Sequence, residues 1–152
     1  MLVSGHSRGT NLQALIDACG QGGINASVAV VVGTRSEAQA ICRARAAGIP
    51  AAVVSPRSRS EQEYGNALGK VLRKYGIDLI CLAGYMRKLP PDLVREYHSR
   101  ILNVHPALLP LFGGKGMFGT HVHEAVLESG VKITGCTVHF VDTEYDTGAM
   151  VV

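Results

Sequence analysis

Short runs of β-branched and aliphatic residues alternate along this chain with segments whose apolar residues recur at helical spacing. The run at residues 26–32 has the composition of a strand that is buried on both faces of a parallel sheet. Before this run, Leu12, Leu15 and Ile16 fall on one face of a predicted helix. Because strands that are joined through helices pair in parallel, the alternation predicts an α/β fold with a doubly wound, mostly parallel sheet.

Cap and turn residues divide the chain into elements. Thr10 and Ser36 are the expected N-caps of the first two helices, and Gly48 and Gly76 are expected to end the second and third. No internal repeat or linker separates the elements, so residues 1–152 are interpreted as a single domain. The predicted strands are residues 1–3, 26–32, 51–54, 79–83, 101–104 and 133–140, and the predicted helices are residues 11–19, 36–47, 60–75, 91–98 and 121–129.

The composition limits the class of protein. With 47% hydrophobic and 18% charged residues among 152, the chain can bury the core of one domain, and intrinsic disorder is excluded. A net charge of +3 suits a small anionic ligand but does not predict binding to nucleic acid. No apolar run has membrane-spanning length, and the first residues lack the pattern of a signal peptide. A cytoplasmic protein is expected, with four reduced and mostly buried cysteines: Cys19, Cys42, Cys81 and Cys136.

A polar pair ends the apolar run that begins at Ile101. Asn103 and His105 are two residues apart, so in a strand they project from one face while Val104 projects from the other. Pro106 cannot donate to a sheet ladder, and the strand is expected to end before it, at the edge where open α/β sheets bind ligands. An amide donor beside a titratable imidazole suits chemistry at a carbonyl. A buried, hydrogen-bonded pair without catalytic function is the alternative.

Two loops follow other predicted strands at the same edge. Residues 4–9 lead into the first helix, where Gly9 permits a tight turn and the helix N-terminus, with Thr10 and Asn11, can hold a phosphate. This loop is neither a Walker loop nor a complete GxGxxG motif, so a glycine turn with a helix cap is the alternative. Residues 83–90 can line a pocket for a flat heterocycle, or form a polar loop that caps a helix.

Three carboxylates lie in residues 142–148, and a solvated acidic loop is the simplest interpretation. If Asp146 folds back on His105, its carboxylate orients the imidazole and stabilises the protonated ring. His121 and His123 are expected to open a helix, where residues i and i+2 diverge, so no metal site is predicted there. His139 lies in a predicted strand and is interpreted as structural.

These motifs together resemble the folate-dependent formyltransferases, and within them the glycinamide ribonucleotide formyltransferases. The segment Asn-Val-His-Pro-Ala-Leu-Leu-Pro is typical of the whole group and its hydrolytic relatives, and Gly-Thr-Asn-Leu-Gln and Gly-Lys-Gly-Met-Phe-Gly-Thr-His-Val-His point to the ribonucleotide enzymes. The matching segments keep their order over nearly the whole chain: residues 4–13, 82–89, 102–110, 113–125 and 137–148.

The resemblance implies a Rossmann-like formyltransferase fold and formyl transfer from 10-formyltetrahydrofolate to the amine of glycinamide ribonucleotide. It implies a cosubstrate folate, no metal, no nucleic-acid or membrane partner, and a monomer or homodimer. It also assigns roles to particular residues. The implied catalytic residues are Asn103, His105 and Asp146, the implied phosphate-binding residues are Gly9, Thr10 and Asn11, and the implied folate-binding residues are Met86, Arg87, Lys88, Leu89, Asn103, Asp142, Thr143, Glu144, Tyr145 and Asp146.

The chain also departs from the family pattern. Members of the family continue some fifty residues beyond the position of Val152, so a catalytic domain without the family's C-terminal segment is expected. A folate-contacting arginine is common near the start of the third helix, where this chain has Glu61 with Arg59 nearby, and that contact is not carried over. The alternatives are a formyltetrahydrofolate deformylase, which uses water as acceptor, and an inactive nucleotide-binding fragment of the same fold.

Overall fold

A computed structural model describes residues 1–152, which form two compact units, Met1–Tyr85 and Met86–Val152. We call them the N-terminal and C-terminal units. The elements of the N-terminal unit are β1 (Leu2–Val3), α1 (Thr10–Gly20), β2 (Val31–Gly33), α2 (Gln39–Ala46), β3 (Ala51–Val53), α3 (Glu61–Lys74) and β4 (Ile80–Leu82). Those of the C-terminal unit are α4 (Pro91–Glu96), β5 (Ile101–His105), α5 (Thr120–Glu128) and β6 (Thr137–Phe140).

The strands of the N-terminal unit are all parallel and lie in the order β3-β2-β1-β4. The chain adds β2 and β3 on one side of β1 and then adds β4 on the other, which is the doubly wound arrangement that the sequence predicted. The order of strands reverses between β1 and β4, and ligands of such sheets bind at the carboxyl ends of the strands at that point. The backbone N–H of Ser4 donates to the carbonyl of Gly84 at 3.3 Å, so the loops that follow β1 and β4 begin side by side.

The core of the N-terminal unit joins two helices to the sheet. Leu12 of α1 and Ile41 of α2 have no exposed surface and pack in one cluster with Val3 and Val31. Burial of a side chain of this size contributes ~1.5–3 kcal/mol. Helix α3 begins at a capping box, in which Ser60 and Glu63 exchange side-chain and backbone hydrogen bonds.

The C-terminal unit is built on an antiparallel pair of strands. In the register of β5 and β6, Asn103 lies opposite His139 and His105 lies opposite Thr137. Beyond β6, the backbone N–H of Phe140 donates to the carbonyl of Ala149 at 2.9 Å, which brings the last residues alongside this strand. The fold class is α/β and mostly parallel, as predicted, with β5–β6 as the antiparallel part.

Several predicted boundaries were wrong because strands need partners. The run at residues 26–32 forms a strand only as Val31–Gly33, since β3 pairs with these three residues and β1 with the last two of them. The predicted strand at residues 133–140 is likewise limited to Thr137–Phe140, the residues that lie opposite β5.

The first two helices begin at residues other than the predicted ones. Gly9, not Thr10, is the N-cap of α1, and no side chain caps that helix. Helix α2 begins at Gln39 rather than at residue 36, with Ala38 as its N-cap, and the Ser36 hydroxyl donates to the neighbouring carboxylate of Glu37 at 3.1 Å. Gly48 and Gly76 follow their helices with positive φ angles of 70° and 58°, which agrees with the predicted ends.

The predicted burial of the cysteines was also wrong. All four thiols are free, but Cys42 and Cys136 are exposed and Cys19 and Cys81 are partly exposed. Cys42 follows Ile41 on α2, and Ile41 rather than Cys42 is turned into the core.

Candidate active site

The loop after β1 presents the N-terminus of α1 to solvent. Gly9 is buried and has a φ angle of 75°, whereas Thr10 and Asn11 are exposed. The loop is held from α2, because the Arg43 guanidinium donates to the carbonyl of Arg8 at 2.9 Å. Since no side chain caps α1, its first backbone N–H groups and its positive dipole end are available to an anion.

Gly9 is required by the geometry of this loop. A Cβ atom at this position would lie 2.8 Å from Cα of Ala40, and the positive φ angle disfavours any L side chain. We therefore expect Gly9→Ala to lower the free energy of unfolding by at least ~1 kcal/mol and to displace the helix N-terminus. Urea unfolding measures the first effect, with Gly20→Ala as the control, because a Cβ atom there meets nothing within 4 Å. Equal losses in the two variants would contradict the steric argument.

The antiparallel register of β5 and β6 places four polar side chains together. Asn103 and His105 project toward the partner strand's His139 and Thr137, while Val104 on the opposite face is 36% exposed. The Thr137 hydroxyl donates to the carbonyl of Ala107 at 2.8 Å and accepts from the backbone N–H of residue 109 at 3.1 Å. Thr137 thereby fixes the segment that leaves β5.

Asp146 connects the two histidines into one polar network. Its Oδ2 lies 3.5 Å from His105 Nδ1, and its Oδ1 lies 3.5 Å from His139 Nε2. His139 Nε2 also accepts from Asn103 Nδ2 at 3.1 Å. The network therefore runs from His105 through Asp146 and His139 to Asn103, and it includes all three predicted catalytic residues. We call these four residues the polar network.

The loop between β6 and the end of the chain aims Asp146 at this network. Asp142 closes the loop by accepting from the backbone N–H of Glu144 at 2.8 Å and from the Thr147 hydroxyl at 2.9 Å. Asp146 adopts a φ of 56°, a left-handed conformation that aspartate tolerates better than most residues. Its carboxylate then accepts the backbone N–H of Gly114 at 2.9 Å. The acidic loop is thus not simply solvated, since Asp146 is folded inward.

His105 is buried, and both of its ring nitrogens have neighbours. Nε2 donates to the carbonyl of Phe112 at 2.8 Å, so this nitrogen carries a proton. Nδ1 faces Asp146, and it can donate to that carboxylate only when the ring is cationic. The ring is only 3% exposed, so His105 contacts protein groups on nearly all sides.

The pKa of His139 is raised above its usual value. The interaction with the Asp146 carboxylate is the main cause, and burial of the ring works against it. The carbonyl of Phe140, which accepts from Nδ1 at 2.8 Å, and the charges of Asp146 and Asp142 add to the rise. The protonated form of His139 is therefore favoured by its surroundings.

The pKa of Asp146 is held below its usual value. Burial alone would raise the pKa of Asp146. The hydrogen bonds from His139 and from the backbone of Gly114, together with the charges of His105 and His139, lower the pKa and outweigh burial. Asp146 is consequently an anion at neutral pH, in contact with two groups that can carry the balancing positive charge.

The implied folate-binding residues other than Asn103 and Asp146 form two segments of the C-terminal unit. Met86, Arg87 and Lys88 are exposed, whereas Leu89 is buried. The two segments are connected: Lys88 Nζ lies 3.3 Å from the Glu144 carboxylate, and 5.6 Å from the centre of the Tyr145 ring. Asp142 is partly exposed, and Thr143, Glu144 and Tyr145 are exposed.

The structure divides the predicted site residues between the units. Gly9, Thr10 and Asn11 belong to the N-terminal unit. All the implied catalytic and folate-binding residues belong to the C-terminal unit. Arg59, which lies near the position of the family's folate-contacting arginine, donates to the carbonyl of Ser55.

His139 is the residue of the polar network that sequence reasoning missed. It was interpreted as structural because a histidine in a strand has no special spacing by itself. The available signal was the alternation of Thr137 and His139, two polar residues of the same face on a strand rich in β-branched residues. Pairing that face with Asn103 and His105 requires the register of β5 and β6, which single-strand patterns do not contain.

The structure holds no group of three or more His, Cys, Asp or Glu side chains that is placed to bind a metal ion. His121 and His123 lie on α5, and His121 instead contacts the ring of Phe118, with 5.3 Å between ring centres. None of the helices has both the length and the apolar character that crossing a membrane requires.

Comparison with known proteins identifies the family of this chain. The sequence model described as formyl transferase matches residues 1–152. The chain belongs to the formyl transferase family. Phosphoribosylglycinamide formyltransferase from the chloroplast of Arabidopsis thaliana is 46% identical over 143 residues, which cover 92% of this chain and 49% of that protein. The formyl transferase described here thus spans about half the length of this plant relative.

Further relatives agree with this assignment. Phosphoribosylglycinamide formyltransferase of Haemophilus influenzae is 40% identical over 153 residues, which cover 100% of this formyl transferase and 69% of the relative. The crystal structure of glycinamide ribonucleotide transformylase 1 from Symbiobacterium toebii has a TM-score of 0.90 at 42% identity, covering 99% of this chain and 69% of that one. A formyltetrahydrofolate deformylase from Pseudomonas syringae shares the fold, with a TM-score of 0.84, at 24% identity over 99% of this chain and 48% of that one.

Proposed function

We propose that this formyl transferase moves a formyl group from 10-formyltetrahydrofolate to the amine of glycinamide ribonucleotide, a step of purine biosynthesis. The observation that carries the proposal is the polar network, which joins Asn103, His105 and Asp146 in a chain of this family. The relatives from Arabidopsis and Haemophilus, at 46% and 40% identity, bear the name of this activity. The deformylase alternative is supported by a likeness of fold alone.

The first step makes an anion that Asn103 can stabilise. The ribonucleotide amine attacks the formyl carbon, a C–N bond forms, and the carbonyl electron pair moves onto oxygen. The Asn103 amide donates an N–H to this oxyanion, and a His105 N–H joins it. When the tetrahedral intermediate collapses, the C=O bond is restored and the bond to the folate nitrogen breaks. Loss of one oxyanion donor typically lowers the rate by ~10²–10³.

A proton must also move from the attacking amine to the leaving folate nitrogen. Asp146 is the candidate acceptor, because it is an anion at neutral pH and its carboxylate lies 3.5 Å from His105 Nδ1. His105 lies beside Asp146 and can pass the proton on, directly or through a bound water molecule. Neither residue needs to form a covalent bond with the substrate.

The Phe112 carbonyl is the acceptor for the His105 N–H that we propose for the formyl oxygen. It accepts from His105 Nε2 at 2.8 Å. Phe112 has a φ of 56°, an uncommon conformation for an aromatic residue, and Gly113 and Gly114 follow it. We propose that the formyl oxygen replaces this carbonyl when the folate binds, so that His105 exchanges one acceptor for another.

The two connected segments of the C-terminal unit are proposed to hold the folate. Backbone groups of residues 86–89 and of residues 142–146 suit the donors and acceptors of a pterin ring. Gly9, Thr10 and Asn11 are proposed to bind the ribonucleotide phosphate through the uncapped N-terminus of α1.

We also propose that residues 1–152 act as one catalytic domain. The cytoplasmic location, the monomeric or homodimeric state and the absence of nucleic-acid and membrane partners stay predictions, as does chemistry without a metal.

An assay with two products separates the candidate functions. The 152-residue chain is mixed with 10-formyltetrahydrofolate, with and without glycinamide ribonucleotide, and the formylated ribonucleotide and free formate are both measured. Formyl transfer predicts the formylated product only when the acceptor is present. Release of formate without acceptor identifies a deformylase, and binding of both ligands without either product identifies an inactive module.

Inorganic phosphate should compete with the ribonucleotide. The uncapped helix N-terminus at Gly9 accepts any compact dianion, so millimolar phosphate is expected to raise the apparent KM for the ribonucleotide and leave that for the folate unchanged. Gly9→Ala should weaken this inhibition because it displaces the same backbone. Inhibition that is competitive with the folate instead would contradict the placement of the phosphate.

A further inference from the structure

His139 is a buried titratable group that the proposed reaction does not use. Its ring is 2% exposed, and Nδ1 donates to the carbonyl of Phe140 at 2.8 Å. A carbonyl can only accept, so Nδ1 keeps its proton in both ionisation states of the ring. Every change in the protonation of His139 therefore takes place at Nε2.

Two neighbours of this nitrogen favour opposite protonation states. Asn103 Nδ2, at 3.1 Å, can only donate a hydrogen bond, so it needs an unprotonated Nε2 as its acceptor. The Asp146 carboxylate, at 3.5 Å, is an acceptor and favours a proton on Nε2. Both cannot be satisfied by one protonation state while the amide keeps its orientation.

A flip of the Asn103 side-chain amide, which exchanges the positions of its oxygen and nitrogen, can resolve the conflict. These two atoms have nearly the same size, so the flip needs no new space. With Nε2 bare, the amide holds His139 through an N–H group, as in the structure. With Nε2 protonated, the amide oxygen accepts from His139 and the whole NH₂ group is turned away from it. In the proposed reaction, this NH₂ group is the one that donates to the oxyanion.

We propose that His139 is a positioning residue, and that the proton on its Nε2 decides which end of the Asn103 amide is left for the formyl oxygen. This inference rests on the proposed function for its catalytic meaning, although the link between the two side chains exists without substrate. Protonated His139 leaves both N–H donors of Asn103 free, and neutral His139 engages one of them.

The charged groups around the ring favour the productive state. Asp146 faces His139 from the loop after β6, Asp142 adds its charge from the same loop, and His105 on β5 shares the Asp146 carboxylate. Because the pKa of His139 is raised, the protonated ring persists to higher pH than in a free histidine. Turnover should therefore fall as pH rises through the His139 titration, by at most the ~10²–10³-fold that loss of an oxyanion donor causes.

NMR of the free 152-residue chain tests the link without any substrate. The ring of His139 and the side-chain NH₂ of Asn103 are followed from pH 5 to 9 in the ¹⁵N-labelled protein. The NH₂ signals are expected to shift with the same midpoint as the His139 ring, and to become independent of pH in His139→Gln. His123→Gln, which alters an exposed histidine of α5, is the control and should leave the shift intact. A His139 ring that does not titrate, or NH₂ signals that ignore its titration, overturns the proposal.

Kinetics then separate this inference from the proposed function. If the wild-type chain transfers no formyl group, the proposed function fails, and the NMR result still decides whether His139 controls the amide. If it is active, kcat should fall at the midpoint found by NMR, and His139→Gln should lose that fall with little change in the folate KM. An unchanged pH profile in His139→Gln refutes the positioning role. If that variant does not fold, the match between the wild-type kcat profile and the NMR midpoint decides the question.

Discussion

Replacing Asn103 by alanine should lower kcat for formyl transfer by ~10²–10³, because the oxyanion loses an N–H donor. The KM for the ribonucleotide should change little, since the phosphate is proposed to bind at Gly9–Asn11. His105→Ala should cause a loss of similar size, with added destabilisation because this ring is buried and donates to Phe112. Steady-state rates with both substrates varied are the measurement.

A neighbouring residue provides the matched control for Asn103→Ala. Val104 lies on the same strand, faces the other way and is 36% exposed, so Val104→Ala tests for damage to β5 alone. Asn103→Ala also removes one hydrogen bond to His139, which should lower the free energy of unfolding by ~1 kcal/mol. A variant that keeps near-normal turnover would remove Asn103 from the mechanism.

Local chemistry explains which parts of the fold could be predicted from the sequence. The period of two placed Asn103 and His105 on one face of β5, and the structure joins both residues to the same network. Gly48 and Gly76 ended α2 and α3 as predicted, because glycine acts on its own turn of the chain. Features of this kind depend on a few neighbouring residues, so they can be predicted before the fold is known.

Features that depend on distant partners could not be predicted in the same way. The short length of β2 reflects how few residues β1 and β3 offer as partners. The proposed function of His139 depends on its position opposite Asn103, a register that pairs residues 36 positions apart in the chain. Asp146 reaches His105 from a backbone with positive φ, which the acidic composition of the loop does not indicate. The contact was therefore a hypothesis until the structure placed the two side chains 3.5 Å apart.

Replacing Asp146 by asparagine should lower kcat by ~10²–10⁴, the usual contribution of a positioned acid or base. The substitution removes the anion that both histidines face and keeps the shape of the side chain. Glu144→Gln is the matched control, because it removes a carboxylate from an exposed position of the same loop. Its rate should stay within a few-fold of the wild type. Equal losses in the two variants would mean that the charge of the loop matters and the position of Asp146 does not.

The same substitution should change how stability depends on pH, and the two pKa shifts give the sign. The pKa of Asp146 is lowered in the fold, so its contribution is present above its unfolded value of ~3.9 and is lost as pH falls through the folded value. The pKa of His139 is raised, so its contribution is full below its unfolded value of ~6.5 and is lost as pH rises through the folded value. Wild type should therefore exceed Asp146→Asn in free energy of unfolding most strongly between ~pH 4 and ~pH 6.5, by about 1.5–3 kcal/mol. Urea unfolding at pH 3, 5 and 8 measures the difference, and one that is equal at all three values would show that Asp146 stabilises the fold without its charge.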